Sequence, residues 1–177
     1  MSQESNMRVV MRLSTAPVHW QVVTDRVMGG ISTGILRTGP GDAGIRFEGG
    51  LSLEQGGGFS SIRSLPMPLG LGLDDRLRVR LRGDGRTYSL NVYVQPSPMA
   101  FSYRFHVATS AEWGSVEIPL REMVATSFGR EQPQLGPMNA SQAVAVGWML
   151  SDKSPGAFWL EVSQIEVVRE FAPRSES

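Results

Sequence analysis

The 177-residue chain has no cysteine, which excludes disulfides, thiolate metal sites, a cysteine nucleophile and thiol redox chemistry. Lysine is nearly absent too, because Lys153 stands alone beside sixteen arginines. The two histidines, His19 and His106, are far apart and fall in no metal-ligand spacing. Seventeen basic and seventeen acidic residues cancel, removing the long-range attraction on which nucleic-acid binding relies, so no nucleic-acid partner is expected. No stretch approaches the roughly 20 apolar residues of a membrane span. Met1 to Trp20 lacks the apolar run of about 7 to 15 residues that a secretion signal needs, and the expected location is cytoplasmic.

Catalytic signatures are missing as well. There is no Gly-x-Ser-x-Gly elbow and no phosphate-binding Gly-x-x-x-x-Gly-Lys-Ser/Thr loop, since Gly56-Gly57-Gly58 runs into the strand-like Phe59-Ser-Ser-Ile-Arg63. Asp74-Asp75 beside Arg76 reads as a solvated turn. Carboxylate pairs for glycoside cleavage could still meet from distant strands. No acid-rich calcium loop of the EF-hand kind is present, which leaves metal open. The sequence points to a non-enzyme with no cofactor.

What the chain does have is apolar residues at 41% and charged ones at 19%, enough for a core and too little charge for disorder. The length fits one domain over 1–171, with a disordered tail over 172–177. Period-two alternation recurs in short blocks between Gly, Pro and Asp clusters, which predicts an all-β sandwich or jelly roll. Arg76 to Arg82 puts three aliphatics on one face and four arginines on the other, a face read as salt-bridged or solvated. Gly83-Asp-Gly-Arg86 then predicts a hairpin to Tyr88–Val94. Phe101 to Val107 and Val116 to Leu120 alternate likewise, and the blocks from Ala145 to Val168 read as central strands. Short helical turns are expected at Leu120–Val124 and Asn139–Val144, and an ordered loop over Ala125–Pro137.

Four groups of residues are candidates for contact. Trp20 to Gly34 concentrates Asp25, two glycines and Ser32, the makings of a self-bonded loop that leaves Asp25, Arg26 and Met28 as contacts. Arg63, after the Gly-rich segment, could clamp Asp25 or an anionic ligand. Ser102, Arg104 and His106 share a strand face that the Asn91 and Tyr93 face is expected to continue, the makings of a shallow sugar or peptide groove; Trp148 joins Tyr93, Arg104 and His106 as a groove residue. Asp152 and the solitary Lys153 form the fourth group, as a salt-bridged anchor or ligand contact.

Four segments resemble the complex I intermediate-associated protein family. They are Trp20 with Thr24-Asp-Arg-Val-Met-Gly-Gly-Ile-Ser32, then Phe47-Glu-Gly-Gly-Leu-Ser-Leu53 through Gly57-Gly-Phe-Ser-Ser-Ile-Arg63, then Val116-Glu-Ile-Pro-Leu120, and Val146-Gly-Trp-Met-Leu-Ser-Asp-Lys153 through Gly156-Ala-Phe-Trp-Leu160. The resemblance implies a galactose-binding-like jelly roll and a binding or assembly role toward a protein partner, a respiratory-complex subunit by analogy with relatives that assist assembly of NADH dehydrogenase. Carbohydrate binding is the alternative that the same fold implies. Phe128-Gly-Arg130 departs from the family by reversing its Arg and Gly order, and a long N-terminal targeting region like that of the assembly factors is not expected.

Overall fold

The computed structural model describes residues 6–39, 44–97 and 100–172. Of the expected tail, all but Ala172 lies outside them. Thirteen strands form two antiparallel sheets among the described residues, joined by loops and short 3-10 turns. The first sheet runs β3 (Ile35–Thr38), β4 (Ile45–Leu51), β13 (Gly156–Glu170), β6 (Arg76–Gly83), β9 (Gly114–Pro119), with β1 (Met7–Leu13) also on β13. The 15-residue β13 takes β4 along its first half and β1 along its second. The second sheet runs β11 (Arg130–Glu131), β10 (Val124–Ser127), β8 (Phe101–Ala108), β7 (Thr87–Val94), β12 (Ala143–Leu150), β5 (Ser60–Ser64), β2 (Trp20–Thr24). This is the expected jelly-roll β-sandwich.

Alternation builds the core. Leu77, Val79 and Leu81 of β6 are buried in one sheet, and Leu90 and Val92 of β7, Val146, Trp148 and Leu150 of β12 and Ile62 of β5 in the other. Each large apolar side chain so buried contributes about 1.5–3 kcal/mol. Phe158 bridges the layers, stacking 4.9 Å from Phe47 and 6.5 Å from Tyr88.

Three expectations change. β6 and β7 are not a hairpin: β6 pairs with β13 and β9, and β7 with β8 and β12. Gly83 to Arg86 instead carries the chain from one sheet to the other. Asp84 fixes this arch by accepting from the Tyr88 hydroxyl and from the Trp159 N–H at 3.0 Å. The segment over Ala125–Pro137 is not one loop but holds a small hairpin, with Ser127 paired to Arg130. The helical turns shrink to 3-10 turns at Leu120–Glu122 and Ala140–Gln142, because β12 begins at Ala143.

The arginine face of β6 is salt-bridged. Glu161, 1% exposed, accepts from Arg46 at 2.7 Å and Arg82 at 2.6 Å, while Glu117 pairs with Arg76 and Arg78. Arg80 and Arg82 flank the Trp113 ring at 4.7 and 4.8 Å.

Candidate functional site

Two places gather the predicted residues. The first is one end of the sandwich, where Thr24, Ser60 and Leu150 lie in register on neighbouring strands and the following loops meet. Asp25, fully buried, accepts from the Ser32 hydroxyl at 2.6 Å, the Ser32 N–H at 3.0 Å, the Gly58 N–H at 2.7 Å and the Phe59 N–H at 3.3 Å. Burial alone would raise its pKa, but these donors outweigh it and hold the carboxyl below the ordinary range. A Cβ on Gly30 or Gly57 would lie 2.5 or 2.6 Å from that carboxylate, so the glycines give Asp25 its room. Asp25 is thus an internal pin and not a contact. Arg63 does not clamp it: Arg63 pairs with Gln21, three residues and about 10 Å along the strand from Thr24.

The pin holds out an apolar tip. Val27, Met28 and Ile31 are 68%, 59% and 43% exposed, and Leu53 of the adjoining loop is 41% exposed. Arg26 is exposed, with its Nε donating to the Ser32 carbonyl at 3.3 Å. At the same end Asp152 receives a fork from Arg86, Nε at 2.9 Å and Nη2 at 2.7 Å, which ties its loop to the arch after β6. The fork and its charge hold the Asp152 pKa down against burial. Lys153 follows, exposed, in the left-handed region at φ 61°.

The second place is the outer face of the second sheet. One row of registered residues crosses six strands: Gln21, Arg63, Gly147, Asn91, Arg104, Val124. Gly147 leaves the middle of the row empty, and Tyr93 leans into the gap; a Cβ there would sit 3.0 Å from its ring. Above that ring, at 3.7 Å, lies the Arg63 guanidinium. Arg104 donates through Nε to the Asn91 side-chain oxygen at 2.8 Å, and the Ser102 hydroxyl donates to the same atom at 3.0 Å. Burial lowers the Arg104 pKa, with the Tyr93 charge opposing. Among the described residues Arg104 has no ion pair. His106 stands at the margin, 3.1 Å from the Ser89 hydroxyl and 3.8 Å from Glu131. Trp148 does not belong to this face: it points inward, fully buried, because it alternates with Gly147 and Met149.

No three His, Asp or Glu side chains converge as a metal site among the described residues. In the depression beside β1 and β9, Asp75 is forked by Arg169 and Asp74 bonded by Arg121, which leaves those acids tied. No helix is long and apolar enough to cross a membrane among the described residues.

The family profile of complex I intermediate-associated protein 30 matches residues 11–162. The chain belongs to this family. The mitochondrial complex I intermediate-associated protein 30 of Mus musculus is 28% identical over 177 aligned residues, covering 89% of this chain and 54% of the relative. That of Neurospora crassa is 28% identical over 145, covering 71% of the chain and 52% of the relative. The chain therefore spans about half the length of these relatives. Among solved structures, the family 11 carbohydrate-binding module of a Clostridium thermocellum cellulosomal cellulase superimposes with a TM-score of 0.64 at 10% identity, covering 90% of this chain and 95% of the module. The same kind of module in complex with a β-1,3-1,4-mixed-linked tetrasaccharide gives 0.62 at 11% identity, covering 88% and 93%. At such identity the likeness concerns the fold.

The most distinctive sequence run is braced from within by Asp25 and carries the exposed tip of Val27, Met28 and Ile31. Asn91 lies on the face that alternation assigns it, whereas Gly147 escapes sequence reasoning because its role appears only once the register sets it beside Asn91.

Proposed function

We propose that the chain is a non-catalytic binding module that serves the assembly of a respiratory NADH dehydrogenase, contacting a protein subunit through the loop tip of Val27, Met28, Ile31 and Leu53. The observation that carries this is the exposure of those side chains on a loop pinned by the four donors to Asp25. Exposed apolar groups on a braced frame bind a partner with little ordering cost. Membership of a family named for complex I intermediates supplies the class of partner. A sugar reading fits the geometry less well, since the Tyr93 ring lies under Arg63 and Trp148 is in the core.

The test replaces the tip and spares the pin. Met28→Asp combined with Ile31→Asp should leave the melting temperature unchanged and cut recovery of NADH dehydrogenase subunits, in affinity capture of the full chain from its own cells, by about tenfold, or roughly 1.4 kcal/mol. Equal recovery by the double variant and wild type would refute the contact assignment.

A further inference from the structure

The outer row of the second sheet sets the guanidiniums of Arg63 and Arg104 on either side of the Asn91 carboxamide and the bare Gly147. The orientation of Asn91 is fixed by chemistry: the Ser102 hydroxyl reaches its side-chain oxygen, and the Arg104 Nε–H, which can only donate, does so too. Its amino group is then left buried with no hydrogen-bond partner among the described residues. Asn91 is fully buried and Tyr93 is 7% exposed. Both guanidiniums, from β5 and β8, end over residues of β7, with no carboxylate paired to Arg104. On the opposite sheet the arginines of β3, β4 and β6 reach Glu48, Glu117 or Glu161, with Arg80 stacked on Trp113. A half-buried cation beside unanswered donors is what remains of a charge-assisted site when its anion is on another molecule.

We propose that this row binds a carboxylate group, with the Arg104 fork and the Asn91 amino group as the primary donors and Arg63 over Tyr93 as a flanking positive wall. A carboxylate accepts through two coplanar oxygens and donates nothing, which matches a planar guanidinium fork. The site is separate from the loop tip, and its test does not depend on the assembly role.

The test titrates the isotope-labelled full chain with sodium glutarate and follows the amide signals of Asn91, Arg104 and Gly147 and the Arg104 Nε–H. Saturable shifts are expected with glutarate and none with glutaramide, its neutral isostere. Arg104→Gln should weaken the response at least about tenfold, and Arg104→Lys, which keeps charge without the fork, should fall between. Asn91→Asp places a carboxylate inside the row; it should abolish the glutarate response and raise the urea midpoint, a gain that a purely structural asparagine would not give. A capped tri-glutamate peptide separates the sources. Binding as weak as that of glutarate assigns the site to free organic acids, whereas binding about tenfold tighter assigns it to an acidic segment of a protein, and either upholds the carboxylate. Equal shifts from glutaramide, a silent row, an undiminished response in Arg104→Gln, or a lowered midpoint in Asn91→Asp would each overturn the proposal.

Discussion

The outer faces of the two sheets carry the same residue, arginine, in two settings. On the first sheet Arg46 and Arg82 converge on Glu161, whose two oxygens they occupy at 2.7 and 2.6 Å, and Trp113 and Trp159 fill the spaces between. On the second, among the described residues, Arg104 reaches only the neutral Asn91. A partly buried charge that is compensated in place stabilises the fold, whereas one left with neutral partners costs stability and is available to a ligand. The difference separates a structural face from a binding face more sharply than exposure does.

Removing the compensation should break the first face. Glu161→Gln leaves Arg82 with no carboxylate among its described partners and halves those of Arg46, which keeps Glu48. We expect a loss of about 3 kcal/mol, less than for fully buried pairs because both arginines retain some solvent contact. The urea midpoint should fall with an unchanged slope. If the loss were below that of neutralising an ordinary surface pair, the contrast between the faces would not hold.

Much of this was legible in the chain. Period-two patterning located the β blocks and put Ser102, Arg104 and His106 on one face. The same rule, applied to Val146, Trp148 and Leu150, sends Trp148 inward with its two neighbours on that face, into the core where it lies. The β6–β7 connection is not legible in the chain because Gly-Asp-Gly serves a hairpin and an inter-sheet arch alike. What decides between them is the bond from the Trp159 N–H to Asp84, which joins residues far apart in sequence. The chain offers Asp25 as one partner for an Arg63 fork, and it is strand register that puts the two apart.

The comparison extends to a compensated anion. Asp25 gathers four donors, as Glu161 gathers two guanidiniums, but without a cation. Asp25→Asn turns an amino group toward those donors and should cost about 2 kcal/mol at pH 7. Its folded pKa is depressed, so the carboxylate's contribution is complete above the unfolded value of roughly 3.9 and is lost as pH falls through the lower folded value. The stability gap between wild type and variant, measured by urea unfolding, should accordingly be constant from neutral pH to about 5 and close below 4. A gap that persisted unchanged into acid would mean that the carboxylate's charge is irrelevant to the pin.

The smallest effect belongs to the edge of the second sheet, where Phe128 and Gly129 turn the β10–β11 hairpin with φ of 50° and 75°. Two successive left-handed residues suit Asn-Gly, and a bulky side chain at the first costs conformational energy. Phe128 is 77% exposed, so no core contact offsets that cost. Phe128→Asn should therefore raise stability by about 0.5–1 kcal/mol, read as a higher melting temperature. Phe128 lies four residues beyond Val124, the last member of the row, so the same variant should leave glutarate binding at Arg104 unchanged. A variant that gained stability and lost binding would place Phe128 within the binding face and move the boundary of that face outward to β11.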